Sequence, residues 1–365
     1  MLNLRNVPKR LDGTLETLSP GYFALVMATG IIAAGLAEAR IVWASHILIT
    51  LACAGYLVLA VLYLSRWLRH RARVRADERD PEVAFGYFTV VAGSSVIALD
   101  LMSTRFAPVS VPLLAVAAAI WFFLGYLLPW RVLMTRDGEP ILARTNGTWF
   151  VWSVASQSVA VGFSAIHQEV PQLLHLSGIL AVLSWSVGTL LYAGIAILVI
   201  LRIVHYGVTP HQAEPTYWVA MGALAISVVA GASIVEMPST PMVDVSRSLI
   251  GGTVVIFWCF GAWLIPMLVG AGLWRHVVHR VPLRYTPGLW SMVFPLGMFA
   301  LASMKLGRIE HLPAIEGVGT VFLGVAVLVW ALVATGLSLA AYRWLHPTTP
   351  NLPRSHSDPG SSGVS

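Results

Sequence analysis

Residues 285–304, YTPGLWSMVFPLGMFALASM, carry no charge over 20 residues. At about 1.5 Å per residue, a helix of this length spans about 30 Å, the hydrocarbon core of one bilayer. Phe294 and Pro295 lie at its midpoint, and Gly297 follows closely. A proline inside a helix leaves the carbonyl of Ser291 without its donor, so we expect a bend where neighbouring helices or an aqueous cavity satisfy that carbonyl. Phe294 then either plugs such a cavity or fills a hole in the helix packing.

The composition of the whole chain is that of a membrane protein. Its 365 residues are 57% hydrophobic and 11% charged, with a mean hydropathy of +0.76. Soluble domains carry about 25% charged residues, so a polytopic membrane protein is indicated. Cys53 and Cys259 lie in apolar stretches and are interpreted as packing residues, not as a disulfide. The sequence contains no metal-ligand spacing and no cofactor motif, so we expect neither a metal nor a cofactor.

Charged residues divide the sequence into ten uncharged intervals long enough to cross a bilayer. These intervals are 17–37, 41–65, 83–99, 106–130, 145–168, 170–201, 215–235, 248–274, 285–304 and 317–342. We predict an all-α protein with ten transmembrane helices in one domain, residues 17–345. Residues 1–16 are predicted to be a cytoplasmic segment, and residues 346–365, rich in Pro, Ser and Gly, a disordered cytoplasmic tail. The first interval is longer than the apolar core of a signal peptide, about 7–15 residues, so we interpret it as a retained span.

Lysine and arginine are distributed unevenly between the two sides of this arrangement. With the N-terminus inside, 18 of the 23 Lys and Arg residues fall in inner segments and 5 in outer turns. The positive-inside rule therefore predicts a multi-pass protein of the cytoplasmic membrane with both termini in the cytoplasm. The basic run RWLRHRARVRADERD, residues 66–80, is interpreted as a topology signal near anionic lipid. The lipid bilayer accounts for the net charge of +6, and we expect no nucleic-acid partner.

The odd-numbered intervals are shorter than the even-numbered ones. The odd runs have 17 to 24 residues, whereas four even runs have 25 to 27 and the sixth also contains a turn. Longer apolar runs suit tilted helices that face lipid. We therefore predict five helical hairpins, with the odd helices inside and the even helices outside around a central axis.

The odd intervals also share a sequence pattern. They begin SPGYFALVMATG, FGYFTVVAGSS, NGTWFVWSVASQ and PTYWVAMGALAI, and the ninth is quoted above. Each has aromatic residues near its cytoplasmic end, which we interpret as anchors at the membrane interface. Each also has a small residue deeper in the span, which permits close helix packing and would equally leave a lumen open. These small residues are Gly30, Gly93, Ser156, Gly222 and Gly297.

The centres of all ten intervals lack ionisable residues. At the midpoints of the odd intervals we place five residues, among which Phe294 is the largest and Gln157 the only polar one. The others are Met27, Val91 and Ala225. A proton relay or a sodium–carboxylate site needs an ionisable group within the membrane, so its absence argues against a coupled pump.

Three charged residues lie at the outer ends of the third and ninth intervals. Asp100 is at the first of these ends, and Lys305 and Arg308 are at the second. They either form ordinary surface ion pairs or attract anions toward an outer vestibule. Histidine pairs for haem, catalytic triads and phosphate-binding loops are missing from the sequence, so we do not expect an enzyme.

Taken together, the odd-interval motifs resemble the tellurite-resistance/dicarboxylate transporter family, which includes TehA-like proteins, fungal malate and sulfite permeases and plant slow-type anion channels. The most specific segments are SPGYFALVMATG, FGYFTVVAG, FWCFGAWLIPMLVGAGLWRH (257–276) and WSMVFPLGMFALAS (290–303). The resemblance implies five hairpins in quasi-fivefold arrangement around a narrow pore, a homotrimer with one pore per protomer, and a pore-blocking phenylalanine that matches Phe294. Spans 3, 5 and 7 lack the mid-span proline here, so glycines such as Gly93 would have to supply any bends.

The leading functional hypothesis is a passive conduit for small anions, such as chloride or nitrate, gated by Phe294. A pore without fixed charge selects by dehydration cost and favours weakly hydrated anions. The alternative is a transporter of C4-dicarboxylate, sulfite or tellurite-related oxyanions that is driven by the proton-motive force. A membrane enzyme or scaffold is the third hypothesis and would show no anion flux.

Overall fold

The computed structural model describes residues 7–134, 140–169 and 173–346. Within these residues ten helices are long and apolar enough to cross a membrane, and no strand occurs, which confirms the predicted fold class. We number the ten helices α1 (Ala24–Glu38), α2 (Val42–Arg69), α3 (Phe88–Met102), α4 (Ala107–Met134), α5 (Phe150–Glu169), α6 (Leu174–Tyr206), α7 (Val219–Val235), α8 (Pro241–Leu273), α9 (Trp290–Ile309) and α10 (Pro313–Leu345).

The two terminal segments are described only in part. Residues 7–16 of the predicted N-terminal segment form a short helix, Val7–Glu16, and a second short helix, Arg71–Asp77, follows α2. Of the predicted tail, residues 347–365 lie outside the described residues, as do 1–6 of the N-terminal segment. The helix α9 is continuous through Pro295.

The odd-numbered helices lie inside the bundle and the even-numbered helices outside. The apolar windows of the odd helices are 72–78% buried, whereas those of the even helices are 17–28% buried. This confirms the arrangement predicted from the interval lengths. Short helices suffice where protein surrounds them, while the lipid-facing helices need longer apolar surfaces.

The five inner helices form a closed ring. Each contacts the next inner helix along the chain, and α9 contacts α1 in turn. Each outer helix packs mainly on the inner helix of its own hairpin. This order of contacts is compatible with the fivefold arrangement.

A repeated hydrogen bond connects each hairpin to the next. In every case an aromatic side chain of an outer helix bonds to a Ser or Thr residue on the inner helix of the following hairpin. The five pairs are Tyr56–Ser94 (3.0 Å), Trp121–Ser156 (2.9 Å), Trp185 with the carbonyl of Ser227 (3.1 Å), Trp258–Ser303 (2.8 Å) and Trp330–Thr29 (3.1 Å). These bonds satisfy polar groups in an apolar environment and fix the angular position of each hairpin.

A second ring lies where the inner helices begin. Each inner helix is preceded by a short 3₁₀ turn, and these turns contact one another in the same cyclic order. We call this ring the collar; its turns are Pro20–Phe23, Ala84–Tyr87, Gly147–Trp149, Pro215–Trp218 and Pro287–Leu289. The turns approach closely at glycines, because a Cβ atom on Gly147 would lie 2.3 Å from the carbonyl oxygen of Thr216.

Five aromatic residues at the starts of the inner helices do not act as interface anchors. Phe23, Phe85, Phe88, Trp149 and Trp290 are all buried. The rings of Phe85 and Trp149 lie 4.4 Å apart across the collar. The interpretation as anchors is therefore wrong for these rings, because the collar turns direct them into the bundle and not toward lipid.

Candidate pore and its two cavities

The first cavity opens on the side of the bundle where the inner helices begin, which we call the N-side. Its volume is about 470 Å³, and all five collar turns or the helix starts that follow them contribute to its wall. Thr89, Val151 and Ser291 are its deepest lining residues on α3, α5 and α9. The cavity therefore lies on the axis of the inner ring.

One arginine of the N-side cavity is neutralised by carboxylates. Arg144 donates to Asp80 at 2.7 Å and to Glu82 at 3.4 Å. Burial lowers the pKa of the Arg144 guanidinium, but the two carboxylates outweigh this effect and the net shift is upward. Burial also raises the pKa of Glu214, on the same wall, while Arg275 partly opposes that rise.

Two further arginines line this cavity without a carboxylate in salt-bridge distance among the described residues. Arg202 donates to the carbonyl of Gly207 at 2.7 Å, and Arg275 donates to that of Ala213 at 2.7 Å. These bonds tie down the loop between α6 and α7. The Nε atoms of both arginines are buried and have no hydrogen-bond partner among the described residues, as is true of Thr216 Oγ1 and Tyr217 Oη.

These four polar atoms around one cavity have no partner among the described residues and are available to a polar ligand, because buried polar groups are normally paired. The guanidinium groups can only donate hydrogen bonds and are always charged, so they favour an anion. Arg275 lies on the π-helical turn Trp274–Val278 that follows α8.

The second cavity opens on the opposite side, the C-side, where the inner helices end. Its volume is about 510 Å³, and again all five inner helices contribute to its wall. Four ionisable residues line it: Glu38, His46, Asp100 and Lys305. The remaining wall is apolar or carries serine hydroxyls.

The face of α9 that lines both cavities contains Phe294. Ser291 lines the N-side cavity, whereas Met298, Leu301 and Lys305 line the C-side cavity. Positions 291, 294, 298, 301 and 305 follow the three- and four-residue spacing of one helix face. Phe294 is the only member of this stripe that lines neither cavity, and it is 2% exposed. It therefore lies between the two cavities.

The other inner helices provide equivalent positions between the cavities. Ala92 lies between Thr89 and Val96 on α3, and Val154 lies between Val151 and Ser158 on α5. Met27 and Gly222 each lie four positions before the first residue of their helix, α1 or α7, that lines the C-side cavity. We call these residues and Phe294 the closed layer: Met27, Ala92, Val154, Gly222 and Phe294. All five are buried, and Phe294 has the largest side chain.

Three of the glycines considered from the sequence as possible pore-lining residues pack against neighbouring helices instead. Gly222 packs on Pro295, because a Cβ atom at Gly222 would lie 2.8 Å from Pro295 Cγ. Gly93 faces Phe23, and Gly297 faces Ile31 and Ile32. These glycines bring helices together. They do not line either cavity.

Gln157 and Gly30 also contact protein. Gln157 Nε2 donates to the carbonyl of Trp185 on α6 at 3.2 Å, so this amide faces an outer helix. A Cβ atom on Gly30 would lie 2.9 Å from Asp100 Oδ2, so Gly30 makes room for that carboxyl group.

Of the three charged residues considered from the sequence, Lys305 and Arg308 form ion pairs with glutamates and not with Asp100. Lys305 pairs with Glu236 at 3.2 Å and donates to Ser233 at 2.7 Å. Arg308 pairs with Glu316 at 2.9 Å and with Glu38. Asp100, by contrast, forms no ion pair in the part of the chain that the structure describes, and its Oδ2 atom is buried without a partner.

No pattern in the sequence indicates the roles of Arg202 and Arg275. From the sequence both are interpreted as topology signals, because only the fold shows that they line one cavity. Among the described residues no group of His, Cys, Asp and Glu could hold a metal ion.

Comparison with known proteins relates the chain to anion transport. Residues 17–337 match the family model described as a voltage-dependent anion channel. An uncharacterised transporter of Methanocaldococcus jannaschii is 22% identical over 87% of this chain and 92% of its own length. An uncharacterised membrane protein of Mycobacterium tuberculosis is 51% identical over 39% of this chain and 72% of its own. The sulfite efflux pump SSU1 of Arthroderma benhamiae is 23% identical over 60% of this chain and 58% of its own.

Proposed function

The chain belongs to the voltage-dependent anion channel family, and from this premise we propose that it is a passive conduit for small anions. The family comprises anion transporters and channels, which are not enzymes. In our proposal the path follows the axis of the inner helices, and Phe294 closes it.

The observation that carries this proposal is the pair of cavities on one axis, separated only by the closed layer. One end of the stripe on α9 lines the N-side cavity and the other end lines the C-side cavity. Phe294 lies between these two ends. Such a constriction of apolar residues blocks ions because they would have to shed water there. Moving one aromatic ring would join the two cavities.

The N-side cavity supports an anion over a cation as the permeant species. Arg202 and Arg275 are not neutralised by a carboxylate in salt-bridge distance among the described residues, and their unpaired N–H groups lie in the cavity wall. The residues that line the cavity include three arginines and two glutamates, Glu82 and Glu214, and a low-dielectric cleft with such a positive surplus raises the local concentration of anions.

The alternative is coupled transport of a C4-dicarboxylate, sulfite or tellurite-related oxyanion. The name of the fungal relative, a sulfite efflux pump, favours an oxyanion. Among the described residues the closed layer has no ionisable side chain, which favours passive conduction.

The test is anion flux into liposomes that contain the purified full-length protein. A panel of chloride, nitrate, sulfite and malate is offered with and without a proton gradient. We expect flux of the monovalent anions down their own gradient at equal pH on both sides. Flux that requires the proton gradient would support the coupled alternative, and no flux of any anion would reject both.

We further propose that the protein lies in the cytoplasmic membrane as a homotrimer with one pore in each protomer. The support is the family resemblance together with the broad apolar surface of the outer helices. Detergent-corrected light scattering should give the mass of three chains. A monomer, or a conduit between subunits, would contradict this proposal.

A further inference from the structure

Asp100 is a buried carboxyl group in the wall of the C-side cavity. The proposed function gives this carboxyl group no role. It lies on α3, two residues before the end of the helix, and is only 8% exposed. Its Oδ2 atom has no hydrogen-bond partner among the described residues. Leaving such a group unpaired in an apolar environment is costly, and an ionisable residue at membrane depth usually has a function.

The charged groups around Asp100 do not neutralise it. On α1 and α2, Glu38 and His46 line the same cavity, and on α9 Lys305 does so. Lys305 already pairs with Glu236, and Glu38 pairs with Arg308. The thiol of Cys53, on α2, lies near enough to interact electrostatically with Asp100.

A second polar atom in the cavity wall lacks a partner. The hydroxyl of Ser95, on the same helix and lining the same cavity, is buried and unpaired among the described residues. Gly30 leaves the space beside Asp100, since any larger residue would press on the carboxyl group. The cavity wall thus offers two unpaired polar groups, a carboxyl oxygen and a hydroxyl, to a ligand.

An unpaired acceptor oxygen in the wall of an anion path is best satisfied by an anion that itself supplies a hydrogen-bond donor. We infer that the C-side cavity binds monoanions of weak acids that still carry a proton, with the O–H of the anion donating to Asp100 and its charged oxygens facing Lys305. This inference rests on the proposed function and names the class of anion that the path prefers.

Hydrogen carbonate and acetate are a matched pair of probes. They have the same charge and nearly the same shape, but hydrogen carbonate has a hydroxyl where acetate has a methyl group. A hydrogen bond contributes about 0.5–1.5 kcal/mol net, which corresponds to a preference of about two- to tenfold.

The experiment measures binding and not flux, so that it remains informative if the conduction proposal fails. Purified full-length protein in detergent is titrated with each potassium salt at constant ionic strength and at a pH where hydrogen carbonate predominates. The shift of the thermal unfolding midpoint with anion concentration gives the dissociation constant. We expect wild type to bind hydrogen carbonate several-fold more tightly than acetate.

Asp100→Leu should abolish this preference, because it removes both carboxyl oxygens while keeping a similar volume. Asp100→Ala serves the same purpose if the leucine variant shows no unfolding transition. Glu38→Leu removes another carboxyl group of the same cavity, one that is paired with Arg308, and it should keep the preference. A wild type that binds both anions equally, or a preference that survives at Asp100→Leu, would overturn the inference.

Discussion

At the residue scale, the electrostatics of the proposed conduit depend on two arginines of the N-side cavity. Arg275 is half-buried, holds the loop before α7 and keeps its Nε atom unpaired. One unit charge at about 7 Å in water contributes about 0.6 kcal/mol, or about threefold in local anion concentration. We therefore expect Arg275→Gln to lower anion conductance about threefold at low salt, as measured in planar bilayers.

The same variant should lose little conductance at high salt, because ions screen exposed charges beyond about 3 Å at 1 M ionic strength. Arg275→Lys is the matched control, since it keeps the charge while changing the hydrogen bonds. It should retain most of the conductance. A Lys variant as impaired as the Gln variant would show that Arg275 acts by holding the loop and not by attracting anions.

The mid-membrane position of Phe294 was predictable from the sequence, because it depends on a local feature, the centre of a bilayer-length span. The direction of the Gln157 side chain was not predictable, because it depends on which neighbouring helix α5 turns this residue toward. Ser153, Ser156 and Gln157 share one face of α5, and only the assembled bundle shows that this face meets the outer helices and not the axis. The carbonyl of Trp185, which holds the Gln157 amide, belongs to another helix.

At the element scale, the collar depends on close contact between backbone turns. A Cβ atom on Gly147 would lie 2.3 Å from the carbonyl oxygen of Thr216, and a backbone atom cannot move aside as a side chain can. Overpacking of this kind costs about 1–3 kcal/mol. We expect Gly147→Ala to lower the thermal unfolding midpoint and the yield of folded protein, as measured by fluorescence-detected size exclusion.

Gly288→Ala is the control within the same collar. Its added Cβ atom would meet nothing nearer than Thr286 Oγ1 at 3.8 Å, which is an ordinary contact. This variant should behave as wild type. Equal damage from both substitutions would mean that the collar requires flexible glycines and not close approach.

The ten spanning helices were predictable because uninterrupted apolar length is a property of the chain alone. The collar was not, because a 3₁₀ turn of three or four residues has no periodicity to recognise. The aromatic residues at its positions resemble interface anchors in sequence. Only the ring of neighbouring turns shows that Phe85 and Trp149 pack against each other.

At the scale of the whole molecule, the orientation in the membrane follows from the distribution of basic residues. The N-side holds the helix Arg71–Asp77 and its arginines, so we expect this side to face the cytoplasm. In a variant with Cys53 and Cys259 replaced by serine, Arg73→Cys should not react with an impermeant thiol reagent added to intact cells. Arg73 has a 57% exposed side chain, so protection would not result from burial.

Arg40→Cys, in the exposed turn between α1 and α2, is the matched position on the C-side. It should react readily with the same reagent. Labelling at position 73 but not at position 40 would reverse the orientation, and the N-side arginines would then face the exterior.

The inside and outside positions of the helices were predictable from interval length, since lipid exposure and span length are physically coupled. The cyclic hydrogen bonds between hairpins were not, because Trp258 and Ser303 are far apart in sequence and neither is unusual in its own helix. The cavities also belong to the assembled ring. No single helix encodes their volume or shows that Asp100 and Lys305 share one wall.

The central claim is that an anion path on the axis of the inner helices is closed by the Phe294 ring. It is tested most directly by comparing two alanine variants of buried phenylalanines on α9 in planar bilayers. Phe299 is equally buried, but it packs on Trp258 and Phe322 and lies off the stripe that lines the cavities. Either substitution removes a large core side chain at a cost of about 3–5 kcal/mol.

We predict that Phe294→Ala conducts chloride or nitrate many-fold better than wild type, that Phe294→Leu falls between them, and that Met298→Ala does less. Phe299→Ala should not raise the conductance. The measurement is the single-channel or macroscopic anion current at equal amounts of folded protein. A folded Phe294→Ala variant that conducts no better than wild type, or no better than Phe299→Ala, would contradict the account.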